Sequence, residues 1–491
     1  VRSAVYNLAG NVAPMLCAVI AIPRILRALG TERFGVVSLV WMFVGYFSLF
    51  DFGLGRALTR AIAEALGKGE DERVPGLVWT GLVLMTAFGA VGGVVLALAS
   101  PFLVTVVLHV PQPIRAETLS AFRALTFLIP VVTSVTALQG VLEAKQLFGW
   151  SNAVRVPLGM FAYLGPLLAV SVAKSVLAVV AFLAVGRATA WVVFFFLCLR
   201  AYPELRQKVA FRKDVVGPLV RFGGWMTITN LVGPIMVYMD RFFIGAVASV
   251  AVVAYYTTPY EVLSKLLVIP SGIVGVLFPA FASTYATDRS RTVVVFERGF
   301  KYVGLIMFPI ALVVSCFASE GLSAWLGPEM SLKSAGVMRW LMIGIFVNSL
   351  AYVPFWALQG IGRSDLPAKM HAVEVPLYLT GLVFLVRTRG VEGAAIAWAA
   401  RAALDAVLLL FLVGRVLAGS GRSIRRLAPV VLFALVALSV AAWLGPFASK
   451  AFYVVAALSA YLYGAWNVLL EADERQMLLA FVRRLSPRSA P

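Results

Sequence analysis

Eight of the charged side chains inside long apolar runs of this sequence are candidates for function, and their types limit the chemistry open to them. Five are cations, Arg24, Arg187, Arg241, Lys265 and Arg401, and three are carboxylates, Asp51, Asp240 and Glu261. A charge at the centre of a bilayer costs roughly 2.5–3.5 kcal/mol on insertion scales, so such residues face a water-filled cavity or a partner. Arg24, Arg187 and Arg241 have no carboxylate three or four residues away, so no neighbour on the same helix face neutralises them. Glu261 with Lys265, and Arg401 with Asp405, are each four apart and can pair along one helix. Asp240 and Arg241 are adjacent, about 100° apart around a helix, and do not readily pair with each other. A guanidinium matches phosphate oxygens in bidentate fashion, and opposite charges ~4 Å apart gain ~4 kcal/mol at an effective dielectric near 20. The arginines therefore predict a cationic cavity for a phosphate-bearing anion. Asp51, Asp240 and Glu261 are the groups that could titrate or hold a coupling cation.

Other chemistries lack their residues. Gly67-Lys68 is the one Gly-Lys dipeptide and has no glycine five residues earlier, so there is no phosphate-cradling nucleotide loop. No Asp-x-Asp pair exists for a metal-bound diphosphate. His109 and His371 are too few and too scattered to predict a metal site. Cys17, Cys198 and Cys316 are far apart in apolar surroundings and read as small buried hydrophobes. Neither catalysis nor a cofactor is expected, and nucleic acid is not an expected partner.

The elements that must hold those charges follow from composition. Of 491 residues, 61% are hydrophobic and 13% charged, with a mean hydropathy of +0.92. A soluble domain is about 25% charged, so a soluble enzyme, a disulfide scaffold and a disordered chain are excluded. Runs long enough to cross a bilayer, about 20 residues, number fourteen. The first six lie at 4–26, 36–63, 76–98, 119–142, 151–172 and 175–199. Six follow at 219–245, 249–282, 299–318, 335–360, 370–386 and 391–416, then two at 429–444 and 451–470. The first run is too long for a cleavable signal and reads as a span.

The net charge of +19 is mostly a topology signal. Of 42 basic residues, 21 fall in one set of alternating loops and the C-terminal tail, against 7 in the other set. By the positive-inside rule both termini are cytoplasmic.

The chain also repeats itself. Ala137-Leu138-Gln139-Gly140 ends span four and Ala357-Leu358-Gln359-Gly360 ends span ten, and Val156-Pro157-Leu158 is matched by Val375-Pro376-Leu377. Arg24 before a glycine turn corresponds to Arg241 before Gly245, and Arg187 corresponds to Arg401. Six spans per half is an even number, so the halves enter the membrane in the same direction. The expected architecture is all-α and polytopic. It has a six-helix lobe at 1–200, a cytoplasmic linker at 201–217, a second lobe at 218–416, and two further spans with a tail at 417–491. Two lobes around a cleft suit alternating access.

Several stretches carry a family resemblance. Asn7, Ile22-Pro23-Arg24-Ile25-Leu26, Leu29-Gly30 and Phe34-Gly35 form one, and Asp51-Phe52-Gly53-Leu54-Gly55-Arg56-Ala57-Leu58-Thr59-Arg60 another. The most specific is Met239-Asp240-Arg241-Phe242-Phe243-Ile244-Gly245, followed by Ala254-Tyr255-Tyr256, Pro259 and Leu277-Phe278-Pro279-Ala280-Phe281. Together they resemble O-antigen and exopolysaccharide repeat-unit flippases of the multidrug/oligosaccharidyl-lipid/polysaccharide exporter superfamily, over spans one to twelve. The resemblance implies a two-lobed transporter of the bacterial inner membrane that moves undecaprenyl-pyrophosphate-linked oligosaccharide. It also implies Arg241 and Arg24 as cargo contacts, with membrane lipids, a polysaccharide polymerase and chain-length machinery as partners.

Three readings compete. A peptidoglycan-precursor flippase shares the spans and the cationic cavity. A cation-coupled multidrug exporter is expected to place acidic residues deep in the lobes instead. A membrane-embedded polymerase needs a large catalytic loop, and the longest polar connections, 201–218 and 283–298, are too short for one.

Overall fold

In lipid the backbone has no water to bond, so an apolar chain satisfies its N–H and C=O groups most directly as α-helix. The computed structural model describes residues 2–46, 54–206, 211–217, 219, 239–469 and 474–476, and contains no strand among them. Its helices begin with α1 (Arg2–Tyr46), α2 (Leu54–Gly67), α3 (Val74–Phe102), α4 (Gln112–Ala144), α5 (Phe148–Val172) and α6 (Val176–Ala201). Residues 239–247 are α7. There follow α8 (Val250–Leu263), α9 (Val268–Thr287), α10 (Arg289–Cys316), α11 (Ala318–Leu326) and α12 (Pro328–Gly360). The last three are α13 (Asp365–Val416), α14 (Ser420–Val440) and α15 (Phe447–Gly464).

Ten stretches among the described residues are long and apolar enough to cross a bilayer, against fourteen runs in the sequence. The difference has identifiable sources. α1 takes in the first run and the start of the second, and α13 takes in the eleventh and twelfth. Each bends at a glycine of positive φ, Gly30 (76°) and Gly390 (60°), a conformation that costs other residues strain. At Gly390 the chain doubles back. A Cβ on Gly393 would lie 1.9 Å from the carbonyl oxygen of Leu385, whereas a straight helix separates such residues by about 12 Å. The seventh run lies largely outside the described residues. The fourteenth forms α15 and the turn that continues it to Leu469, and is not among the ten.

Contacts group the chain into two compact units, Val1–Lys265 with His371–Ala397, and Leu266–Met370 with Trp398–Pro491. The first unit takes in α7 and α8, which the sequence repeat pairs with α1 and its successor.

Within the first unit, helices approach closely where one of them carries glycine. A Cβ on Gly93 of α3 would sit 2.6 Å from the Thr126 carbonyl oxygen of α4, and one on Gly35 of α1 would sit 1.9 Å from that of Val250 in α8. Small residues drive such contacts in membranes because lipid gives no hydrophobic push between helices. Polar side chains add specific ties: Thr133 Oγ1 donates to the Met85 carbonyl at 2.9 Å, and Trp191 Nε1 to Ser134 Oγ at 2.9 Å. Beyond the Gly30 bend, Arg33 Nε pairs with Glu117 of α4 at 3.0 Å. The other oxygen of Glu117 accepts from the Val176 amide at 2.5 Å, so one carboxylate joins three helix ends.

Within the second unit, Gly344 of α12 faces the Trp398 indole, and Tyr461 of α15 packs on Phe308 of α10 with ring centres 4.1 Å apart. Ion pairs secure the last helices. Lys450 reaches Glu320 at 2.7 Å, Lys301 and Tyr302 both donate to Glu474, and Glu297 accepts from Ser423 and Arg426 of α14.

Candidate functional site

Four of the eight charges read from the sequence meet in the first unit, around α8. Ser249 starts that helix: its backbone is extended and its Oγ accepts from the Val252 amide at 3.3 Å, which satisfies an amide the helix itself cannot. Tyr256 and Tyr260 are one turn apart, and their rings stack 5.8 Å apart on the same face. Glu261 follows on an adjoining face.

Arg241 of α7 is 2% exposed, and its Nη2 donates to Glu261 Oε1 at 2.8 Å. Its guanidinium lies 5.1 Å from the Tyr260 ring centre, a range in which the ring face attracts a cation. The second oxygen of Glu261 accepts from Tyr163 Oη of α5 at 2.8 Å. Tyr163 is itself packed by Trp41 of α1, ring centres 5.5 Å apart, whose Nε1 donates to the Ala162 carbonyl at 3.1 Å. Lys265, half-buried one turn after Glu261, places Nζ 6.0 Å from the Tyr163 ring centre. Asp240 is fully buried. One of its oxygens accepts from the Arg241 amide at 2.7 Å and the other from Tyr256 Oη.

The arrangement corrects one expectation. Arg241 is not an unpaired cation, because its carboxylate lies twenty residues away on the next helix, beyond any search limited to one helix face. Among the described residues, two carboxylates and two cations share this cluster. A buried pair of this kind is strongly held once formed, since removing either partner leaves the other charge uncompensated.

Arg24 on α1 is exposed and its Nη1 turns back to the Ile20 carbonyl at 3.2 Å. Arg187 on α6 is half-buried with no carboxylate partner among the described residues. Arg401 belongs to the second unit, half-buried with its guanidinium 5.6 Å from the Trp398 ring centre. Asp51 lies outside the described residues. Sequence reading missed the aromatic members, Tyr163, Tyr256, Tyr260 and Trp41. The Tyr256–Tyr260 spacing beside Glu261 was the available signal, whereas nothing local ties Tyr163 to a residue 98 positions away.

The site's unit overlaps the region that matches a known family. The sequence pattern of the family described as "Polysaccharide biosynthesis protein" matches residues 1–285, which contain every member of the cluster. The chain belongs to this family. A relative from Shigella flexneri named "Putative O-antigen transporter" is 30% identical over 419 residues, covering 84% of this chain and 98% of its own. The membrane protein EpsK of Bacillus subtilis is 25% identical over 76% of this chain and 75% of its own. Among solved structures, an inward-facing MATE family multidrug transporter of the MOP superfamily superposes with a TM-score of 0.70 at 14% identity, covering 82% of this chain and 94% of its own. The lipid II flippase MurJ does so with a TM-score of 0.69 at 11% identity, covering 93% and 97%. The chain is therefore a multi-pass membrane protein with the fold of this transporter superfamily, and its Shigella relative is named as a transporter rather than an enzyme.

Proposed function

We propose that this protein is a flippase for a lipid-pyrophosphate-linked oligosaccharide, working by alternating access in the bacterial inner membrane. Both termini are then cytoplasmic, and the two six-span lobes of the sequence repeat are the moving parts. The single observation that carries the reading is the buried Arg241–Glu261 pair, in a chain whose well-covered relative is named for O-antigen transport. Pyrophosphate offers the same oxygen geometry as a carboxylate with more charge, so it competes with Glu261 for Arg241. Protonation of Glu261, or cation binding at Glu261, Asp240 or Asp51, weakens the pair and releases the guanidinium. That exchange couples cargo to an ion. Arg24, Arg187, Lys265 and Arg401 serve as further cargo contacts along the path. The partners that follow are the lipid-linked oligosaccharide, membrane lipids, and the polymerase and chain-length machinery that consume the flipped unit.

The test reconstitutes the protein in liposomes and follows leaflet exposure of a fluorescent lipid-pyrophosphate oligosaccharide. Changing Arg24, Arg187, Arg241 and Arg401 singly to Ala is expected to slow flipping about tenfold or more wherever one charged hydrogen bond is lost. Lys at the same positions restores part of the rate. Unaltered rates in all four Ala variants would overturn the reading.

A further inference from the structure

Away from the ionic cluster, the second unit holds an apolar groove between α10, the end of α13 and the start of α14. Two adjoining cavities of about 570 and 510 Å³ share Leu410 and Ile424 in their walls. Phe296, Phe300, Leu432 and Leu435 line the larger one, and nothing acidic lines either. At the rim stand Arg425 in the larger cavity and Arg415 in the smaller. Each guanidinium is fixed by its own helix: Arg415 lies 4.4 Å from the Phe411 ring centre, and Arg425 Nε donates to the Gly421 carbonyl at 3.3 Å. Neither has a carboxylate partner among the described residues. The nearby acid, Glu297, is already engaged by Ser423 and by Arg426 at 3.3 Å. Pro429, also in the wall, has no N–H to bond the Arg425 carbonyl, so that oxygen is left for another donor.

We propose that this groove binds one anionic phospholipid. Its acyl chain lies along the aromatic and leucine wall, and its phosphate is held by Arg415 and Arg425. A hydroxyl-bearing headgroup such as phosphatidylglycerol also supplies a donor for the freed carbonyl. The charge complementarity at the rim is what selects this occupant over a neutral lipid. Each arginine beside an anionic lipid surface contributes about fivefold in affinity, and the two line adjoining cavities that share Leu410 and Ile424.

The experiment purifies the whole protein in detergent, adds equimolar phosphatidylglycerol and phosphatidylcholine, and reads bound lipid by native mass spectrometry. A preference for phosphatidylglycerol of about thirtyfold is expected from two arginines. Arg415→Gln combined with Arg425→Gln is expected to bring the two lipids to parity. Ala428→Trp, an exposed groove residue, is expected to expel both by filling the space and leaves the arginines in place. Equal binding of both lipids by the unaltered protein would make the groove a plain acyl surface and overturn the proposal. Displacement of bound phosphatidylglycerol by a substoichiometric polyprenyl diphosphate would assign the groove to a cargo tail instead, and would overturn it equally.

Discussion

Glu261 accepts two charged or polar partners from different helices, Arg241 on one oxygen and Tyr163 on the other. Glu261→Ala therefore strands a guanidinium that is 2% exposed, and the expected loss is about 3–5 kcal/mol. Arg241→Met with Glu261→Leu removes both charges and is expected to cost far less than Glu261→Ala or Arg241→Ala alone, because no uncompensated ion remains. Tyr163→Phe removes one hydrogen bond to a charged acceptor and should cost about 1.5–3 kcal/mol. Thermal unfolding in one detergent, followed by tryptophan fluorescence, orders the four proteins. A double variant less stable than both truncations would show that the pair is not the unit of stability. The deep positions of Asp240, Arg241 and Glu261 were legible in the sequence, because charged residues in apolar runs announce themselves. Which of them pair was not legible, because the choice depends on helices meeting at an angle that no spacing encodes.

At the scale of elements, glycines of one composition play opposite parts. Gly35 abuts the Val250 backbone, while Gly321 in α11 has open space where a Cβ would go. Gly35→Ala forces α1 from α8 and is expected to destabilise by about 1–3 kcal/mol. Gly321→Ala merely stiffens a helix and is expected to stabilise by about 0.5–1 kcal/mol. Opposite shifts in the unfolding midpoint check the pair of predictions.

The start of α10 is pH-sensitive for a separate reason. Asp288 caps it, accepting from the Ser290 hydroxyl and amide and, at 3.2 Å, from the Arg291 amide. Those bonds, the Ser290 hydroxyl foremost, hold its carboxyl below the usual carboxylate range. A lowered folded-state pKa means the cap contributes fully above the unfolded value and is lost as pH falls through the folded one. Amide exchange at 290–292 should rise in that acidic window relative to the helix middle, and Asp288→Asn should abolish the pH dependence.

For the whole molecule, the all-helical class was readable from composition alone, since 61% hydrophobic residues leave no alternative to membrane helices. The number of helices was less readable. A window of about 20 apolar residues counts runs, and at Gly30 and Gly390 two helical segments meet directly at a non-helical glycine, so that neighbouring runs share one range. The loop charges make a topology prediction at this scale. A single cysteine placed by Lys68→Cys should react with an impermeant thiol reagent only from the cytoplasmic face, and one placed by Lys174→Cys only from the opposite face. Both positions are exposed, native Cys198 and Cys316 are buried, and half-buried Cys17 is replaced by Ser in the background. Labelling with the two sides exchanged would reverse the orientation, and labelling of both from one side would break the alternation of the loops.

The charge balance of the cluster around Arg241 also bears on the electrical behaviour of the protein. An elementary charge carried across the membrane field exchanges about 2.3 kcal/mol per 100 mV. Asp240, Arg241, Glu261 and Lys265 sum to zero, so a displacement that moves them together transfers no gating charge. Any voltage dependence of the empty protein must then originate in other charges, such as buried Glu374 and Asp405 or half-buried Arg187.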